Sequence, residues 1–176
     1  MKAGFPPAGV ALVAGRFLVF LVLAGLMACS PRTFPDIQVS RLDGAPFQTA
    51  ELRGRAAWLE FWSPWDPASL QRLQDLPGIV EKTPDLRSRV ALIAVVLAGT
   101  SDETRTVLQG LSDLPFTVVL DSGPLSESLG IQVVPTTIWV HPDGRWQQVH
   151  QGYVEPELLA REVASRIDEV LHPALP

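Results

Sequence analysis

Phe61-Trp62-Ser63-Pro64-Trp65-Asp66-Pro67-Ala68-Ser69 joins two segments of different character. Before it, Ala56 to Trp62 is nearly all apolar and has no turn residue, which is how a strand buried on both faces of a sheet reads. After it, Leu70, Leu73, Leu76 and Val80 recur at three- and four-residue spacing, so a helix with one apolar stripe is expected from Asp66 to Glu81, kinked at Pro77-Gly78. Asp66-Pro67 suits the start of that helix. The carboxylate accepts from first-turn amides and is favoured by the helix dipole, and proline gives up an amide that would have had no partner.

Further strands and helices alternate along the chain. Arg89 to Leu97 is a second continuous apolar run and Phe116 to Leu120 a third, while Thr136 to His141 and Arg145 to His150 flank Pro142-Asp143-Gly144 as a hairpin. Ile37-Val39 and Pro46-Phe47 suggest a small leading hairpin. Thr100 and Glu103 form a capping box for a helix ending near Gly110. Pro156 to Leu171 closes the chain with Leu159, Val163, Ile167 and Val170 on one face, and with Glu157-Arg161 and Glu162-Arg166 at ion-pair spacing on the other. Strands alternating with helices imply a central sheet covered on both faces. No internal repeat is present, so one domain is expected.

The amino terminus reads as an export leader. Lys2 and Arg16 are the only charges before Arg32, and Phe17 to Ala28 is an unbroken apolar run, short for a spanning helix and suited to a signal peptide. Leu26-Met27-Ala28-Cys29 matches a bacterial lipobox, in which cleavage falls before the cysteine and its sulfur is acylated. The expected organisation is a leader over 1–28, a lipidated tether over 29–35 and a folded domain over 36–173. Ser30 beside the lipidation site points to the outer rather than the inner membrane.

Charge and cysteine content exclude other classes. Without the leader the chain carries 12 basic against 19 acidic residues, which argues against nucleic acid, and no polybasic run is present to bind anionic lipid. Membrane attachment is therefore assigned to acylated Cys29. That residue is also the only cysteine, so no internal disulfide can form. His141, His150 and His172 are scattered without ligand spacing, and Ser69 is a poor metal ligand, so neither a metal nor a cofactor is expected.

In order along the chain, the Trp-Ser-Pro-Trp-Asp-Pro-Ala-Ser stretch, the run Gly130-Ile131-Gln132-Val133-Val134-Pro135-Thr136-Thr137 and the following Asp-Gly hairpin resemble the thioredoxin-like superfamily. The segment from Pro35 through Gly54 is similar to the leader of its TlpA/ResA-like branch. The resemblance covers roughly residues 35 to 172. It implies a three-layer α/β/α sandwich with a central mixed sheet, helices on both faces and an N-terminal β-hairpin. It also implies a cis bond before Pro135, facing the motif, and a buried acid at Glu60 that in the family relays protons to the resolving cysteine.

The family motif places cysteines where this chain has Asp66 and Ser69. Disulfide exchange needs a thiolate to attack and a second thiol to resolve, and neither an aspartate nor a serine can form a sulfur–sulfur bond. No catalytic residue is therefore assigned. Trp65, Asp66, Pro67, Ala68, Ser69 and Glu60 stand as degenerate active-site positions, and Trp65, Val134, Pro135 and Thr136 as a groove for a protein or peptide client. Trp62 belongs either to that surface or to the core. Glu60 points into the core with a raised pKa, or faces a polar pocket. The expected function is a redox-inert binding or scaffolding module of the cell envelope. The alternative that the resemblance carries is a thiol-disulfide oxidoreductase or peroxidase. Hydrolytic or metal-dependent use of Asp66 and Glu60 lacks a partner base or ligand cluster.

Overall fold

The computed structural model describes residues 32–111 and 114–171. The leader, Cys29, Ser30 and His172 lie outside them. Seven strands form one mixed sheet in the order β2-β1-β5-β4-β3-β6-β7. β1 (Gln38–Arg41) and β2 (Pro46–Gln48) are the leading hairpin. β3 (Ala56–Trp62), β4 (Val90–Leu97) and β5 (Thr117–Asp121) are parallel and central, and β6 (Thr136–Val140) and β7 (Trp146–Gln151) are the antiparallel hairpin beyond β3.

Among the described residues the α-helices are α1 (Pro67–Lys82), α2 (Leu86–Arg89), α3 (Ser101–Gln109), α4 (Pro124–Leu129) and α5 (Pro156–Leu171). The alternation of β3 assigns the faces. Ala56, Trp58 and Trp62 pack with Leu73, Leu76 and Ile79 of α1 and with Leu159, Val163 and Ile167 of α5. Ala57, Leu59 and Phe61 pack on the other face with Leu125 and Leu129 of α4 and with Leu52 of a 3₁₀ turn over Thr49–Leu52. All seven residues of β3 are buried, as its composition requires.

Several local readings hold. α1 is capped by Asp66, and α3 by the reciprocal Thr100–Glu103 box. The helix expected from Asp66 to Glu81 is found over Pro67–Lys82, with Pro77 inside it. Other readings are corrected. Residues 32–34, read as linker, lie along the β6–β7 turn: Thr33 bridges to Arg145, and the Phe34 amide donates to the Gly144 carbonyl at 2.8 Å. The expected 157–161 and 162–166 pairs on α5 are not formed. Arg166 turns to Glu169 at 3.5 Å, while Glu162 faces His150 across the α5–β7 contact at 3.9 Å. α2 and α4 were not read at all, being too short at four and six residues for a periodic signal. α4 is anchored by Asp121, whose carboxylate accepts from the Gly123, Leu125 and Ser126 amides.

Candidate functional site

The motif loop leaves the C-terminal end of β3, and the cis Val134–Pro135 bond enters β6 beside it. Phe61 pairs with Thr136, so the register sets Pro135 opposite Trp62. The sequence order therefore becomes a spatial juxtaposition at one end of the sheet.

Every polar group that replaces a family thiol is engaged in local structure. Asp66 sits at the N-cap in extended conformation, and its Oδ2 accepts from the Ser69 amide at 2.7 Å. Ser69 is fully buried, its Oγ accepting from the Ser63 amide at 3.3 Å. Pro67 is exposed and Ala68 half-buried on the first turn. Ser63 is buried beneath the loop, and its Oγ accepts from the Trp65 amide at 3.4 Å.

Trp62 and Trp65 have opposite fates. Trp62 is wholly buried against α1, which settles it as core. Trp65 keeps 65% of its surface exposed, and its indole N–H donates to the Ala98 carbonyl at 3.2 Å. Ala98 adopts a positive φ of 53° to present that carbonyl. Gly99 follows because a Cβ there would stand 2.8 Å from Pro64 Cγ. The β4–α3 loop thus props the tryptophan from below.

Across the loop, the Pro135 and Thr136 side chains are buried, Val134 is half-buried and Val133 is exposed. The apolar surface here therefore comes from Trp65, Val133 and Val134 rather than from the proline ring or Thr136. The Pro135 carbonyl accepts from the Gly152 amide at 2.7 Å and the Val133 carbonyl from Thr136 Oγ1 at 2.6 Å. The amide and carbonyl of Val134 have no hydrogen-bond partner among the described residues. Trp65, Val133 and Leu158 are the large exposed apolar side chains of the described residues, and the first two belong to this end.

Beneath the loop is a buried polar layer that sequence reading found only in part. Glu60 is fully buried on the α1 face of β3. Its Oε2 accepts from Trp58 Nε1 at 3.0 Å and from Thr137 Oγ1 at 2.8 Å, and its Oε1 faces Arg72 Nε at 3.4 Å. Arg72, on α1, is also fully buried and stacks on the Tyr153 ring, with Cζ 5.2 Å from the ring centre. The Tyr153 hydroxyl in turn donates to Asp75 at 3.0 Å. Neither Oε1 nor any guanidinium nitrogen of Arg72 meets hydrogen-bond geometry among the described residues, so the contact is ionic. Burial pushes the Glu60 pKa up, and this outweighs the opposing pull of Arg72 and of the two hydrogen bonds. The open question over Glu60 is thus decided for the core.

Arg72 was missed because an apolar-stripe reading skips charged positions. The signal was available: Arg72 lies four residues before Leu76 on the buried stripe, opposite a strand whose one acidic residue is Glu60. The histidines do not converge. His141 follows β6 at one end of the sheet, whereas His150 pairs with Thr137 toward the other. Among the described residues no three His, Cys, Asp or Glu groups gather as metal ligands.

The chain matches no protein-family model. Over 126 residues it is 29% identical to the thiol-disulfide oxidoreductase ResA of Oceanobacillus iheyensis, an alignment covering 67% of this chain and 62% of that protein. The chain therefore spans under two-thirds of that relative's length. A putative thiol:disulfide interchange protein DsbE from Chlorobium tepidum superposes with a TM-score of 0.66 at 20% identity, over 77% of this chain and 95% of that one. The exposed lipoprotein thioredoxin Etrx1 of Streptococcus pneumoniae gives a TM-score of 0.61 at 23% identity, over 74% and 99%. The fold is thioredoxin-like, and the sequence is similar to proteins named ResA. At Asp66 and Ser69, where the resemblance places cysteines, the chain carries no sulfur.

Proposed function

We propose that this thioredoxin-like domain is a redox-inert binding module of the cell envelope, carried on acylated Cys29 and holding an extended protein or peptide segment at the Trp65 end. The observation that carries the reading is the fate of the two thiol positions. Asp66 is committed to capping α1 and Ser69 is buried beneath it, so nothing there can attack or resolve a disulfide. The same end keeps what a non-covalent holder needs. The exposed Trp65 and Val133 and the unpaired amide and carbonyl of Val134 stand at this end of the sheet, and that backbone suits strand-like pairing with an extended chain. An envelope location accords with relatives named ResA and DsbE and with a lipoprotein among the structural neighbours. Among the described residues no helix is long and apolar enough to cross a membrane.

A carboxymethylated, permanently unfolded polypeptide is a suitable probe because it offers extended segments and no thiols. Binding followed by fluorescence anisotropy should weaken about thirtyfold in Trp65→Ala, the loss typical of an aromatic hot spot. Unchanged binding would remove the Trp65 end from the account. The second reading, a thiol-disulfide oxidoreductase, is favoured by the names of the relatives alone and would require dithiol turnover from a chain with one cysteine.

A further inference from the structure

The sequence shows no polybasic run, yet the fold gathers arginines at the end of the sheet opposite the motif. Ala56 of β3 pairs in parallel with Val90 of β4, so the residues just before them, Arg55 and Arg89, stand side by side at the strand starts. Arg55 and Arg87 rim a cleft of about 380 Å³ with Arg41, floored by Phe47, Leu92 and Ile93. The Gly54 amide donates to the Pro142 carbonyl at 3.1 Å, which joins this edge to the β6–β7 turn where the described chain begins at Arg32. The carboxylates here are largely consumed: Glu51 pairs with Arg41, Asp36 with Arg53 and Asp143 with Arg145. Exposed Arg55, Arg87 and Arg89 keep no carboxylate partner among the described residues, against Asp85 as the neighbouring free acid.

Glu169, paired with Arg166, is near His141 at the adjoining turn, and other acids stand at the motif end. Asp66 and Glu103 open helices at the motif end. The seven residues of β3 separate the two ends by about 23 Å. That is nearly three screening lengths at physiological salt, so a surface at the arginine end feels local positive charge rather than the net balance.

We propose that this arginine end docks on the anionic phosphates of a membrane surface, which turns the Trp65 end away from the bilayer. Two residues, Ser30 and Pro31, separate Cys29 from Arg32, and three steps of at most about 3.6 Å keep the Cα of Arg32 within roughly 11 Å of the Cα of Cys29. Guanidinium forks pair well with phosphate oxygens, and each arginine near an anionic surface strengthens binding by about fivefold. The proposal rests on the anchoring reading for its geometry, but its arginines are tested separately from the acyl chain.

The acylated protein is reconstituted in phosphatidylcholine vesicles with and without phosphatidylglycerol, and tryptic cleavage after Arg53, Arg55, Arg87 and Arg89 is timed against cleavage after Arg161. Anionic vesicles should slow the first group at least fivefold and leave Arg161 unchanged, and high salt should remove the protection. In Arg55→Gln/Arg87→Gln/Arg89→Gln, cleavage after Arg53 should be equally fast on both vesicles. Equal rates on both vesicles for the unaltered protein would overturn the proposal. So would protection by inorganic phosphate without vesicles, which would mark a small-anion site. Mass spectrometry of the same preparation reads the acyl chains on Cys29. If they are absent, anchoring fails, and sedimentation of the unacylated chain with anionic vesicles still decides the docking.

Discussion

The motif loop and the layer beneath it hold their polar groups in opposite ways. At the helix start, Asp66 and Ser69 carry no sulfur and are absorbed into helix capping and backbone packing. A strand's depth below, the acid at Glu60 is present, fully buried and faced by an equally buried arginine. A group at the helix start can change without cost if its replacement caps the helix equally well. A charge inside the core cannot be dropped alone, because its partner is then left unpaired in a low-dielectric interior.

The largest expected effect follows from that contrast. Glu60→Leu strands Arg72 and should destabilise the domain by about 3–5 kcal/mol in urea unfolding. Glu60→Leu/Arg72→Leu should recover most of the loss, since replacing both partners with apolar residues is often neutral. A double variant as unstable as the single one would show that the ionic contact is not the linkage.

The pH dependence carries a definite sign. Folding raises the Glu60 pKa above its ordinary 4.5, so the folded state holds the extra proton in the window that opens there. The stabilising contribution is complete below that window, is lost as pH rises through the raised value, and then levels off. The difference in unfolding free energy between the original and double-leucine proteins, followed upward from pH 4.5, should show this fall. A flat difference would place an ionised Glu60 in both states.

At the surface the effects are smaller. Asp66→Ala removes the cap of α1 and should cost about 1 kcal/mol. Asp66→Asn, which can still accept from the Ser69 amide, should cost less. Trp65→Ala should leave stability within about 0.5 kcal/mol while weakening the unfolded-chain probe, because its side chain is mostly exposed. A large stability loss there would make Trp65 structural.

The features readable from sequence are those whose cause is local or periodic. β3 and β4 announce themselves as unbroken apolar runs, and the caps at Asp66 and Thr100 by residue type and spacing. What escaped depends on tertiary placement. Arg72 interrupts an apolar stripe and makes sense only opposite Glu60, 12 residues earlier. The link between the first described residues and the β6–β7 turn joins segments more than a hundred residues apart. The arginine end is assembled from stretches far apart in the chain, among them Arg41, Arg53-Gly54-Arg55 and Arg87-Ser88-Arg89. The cis bond before Pro135 and its place beside the motif came from the family resemblance, since no local pattern dictates either.

The central claim is the loss of exchange chemistry, and dithiol-driven insulin reduction by the purified protein reads it directly. The rate should equal the protein-free background, while Asp66→Cys/Ser69→Cys, which restores sulfur at both helix-start positions, should exceed it. Turnover above background by the unaltered chain would contradict the account.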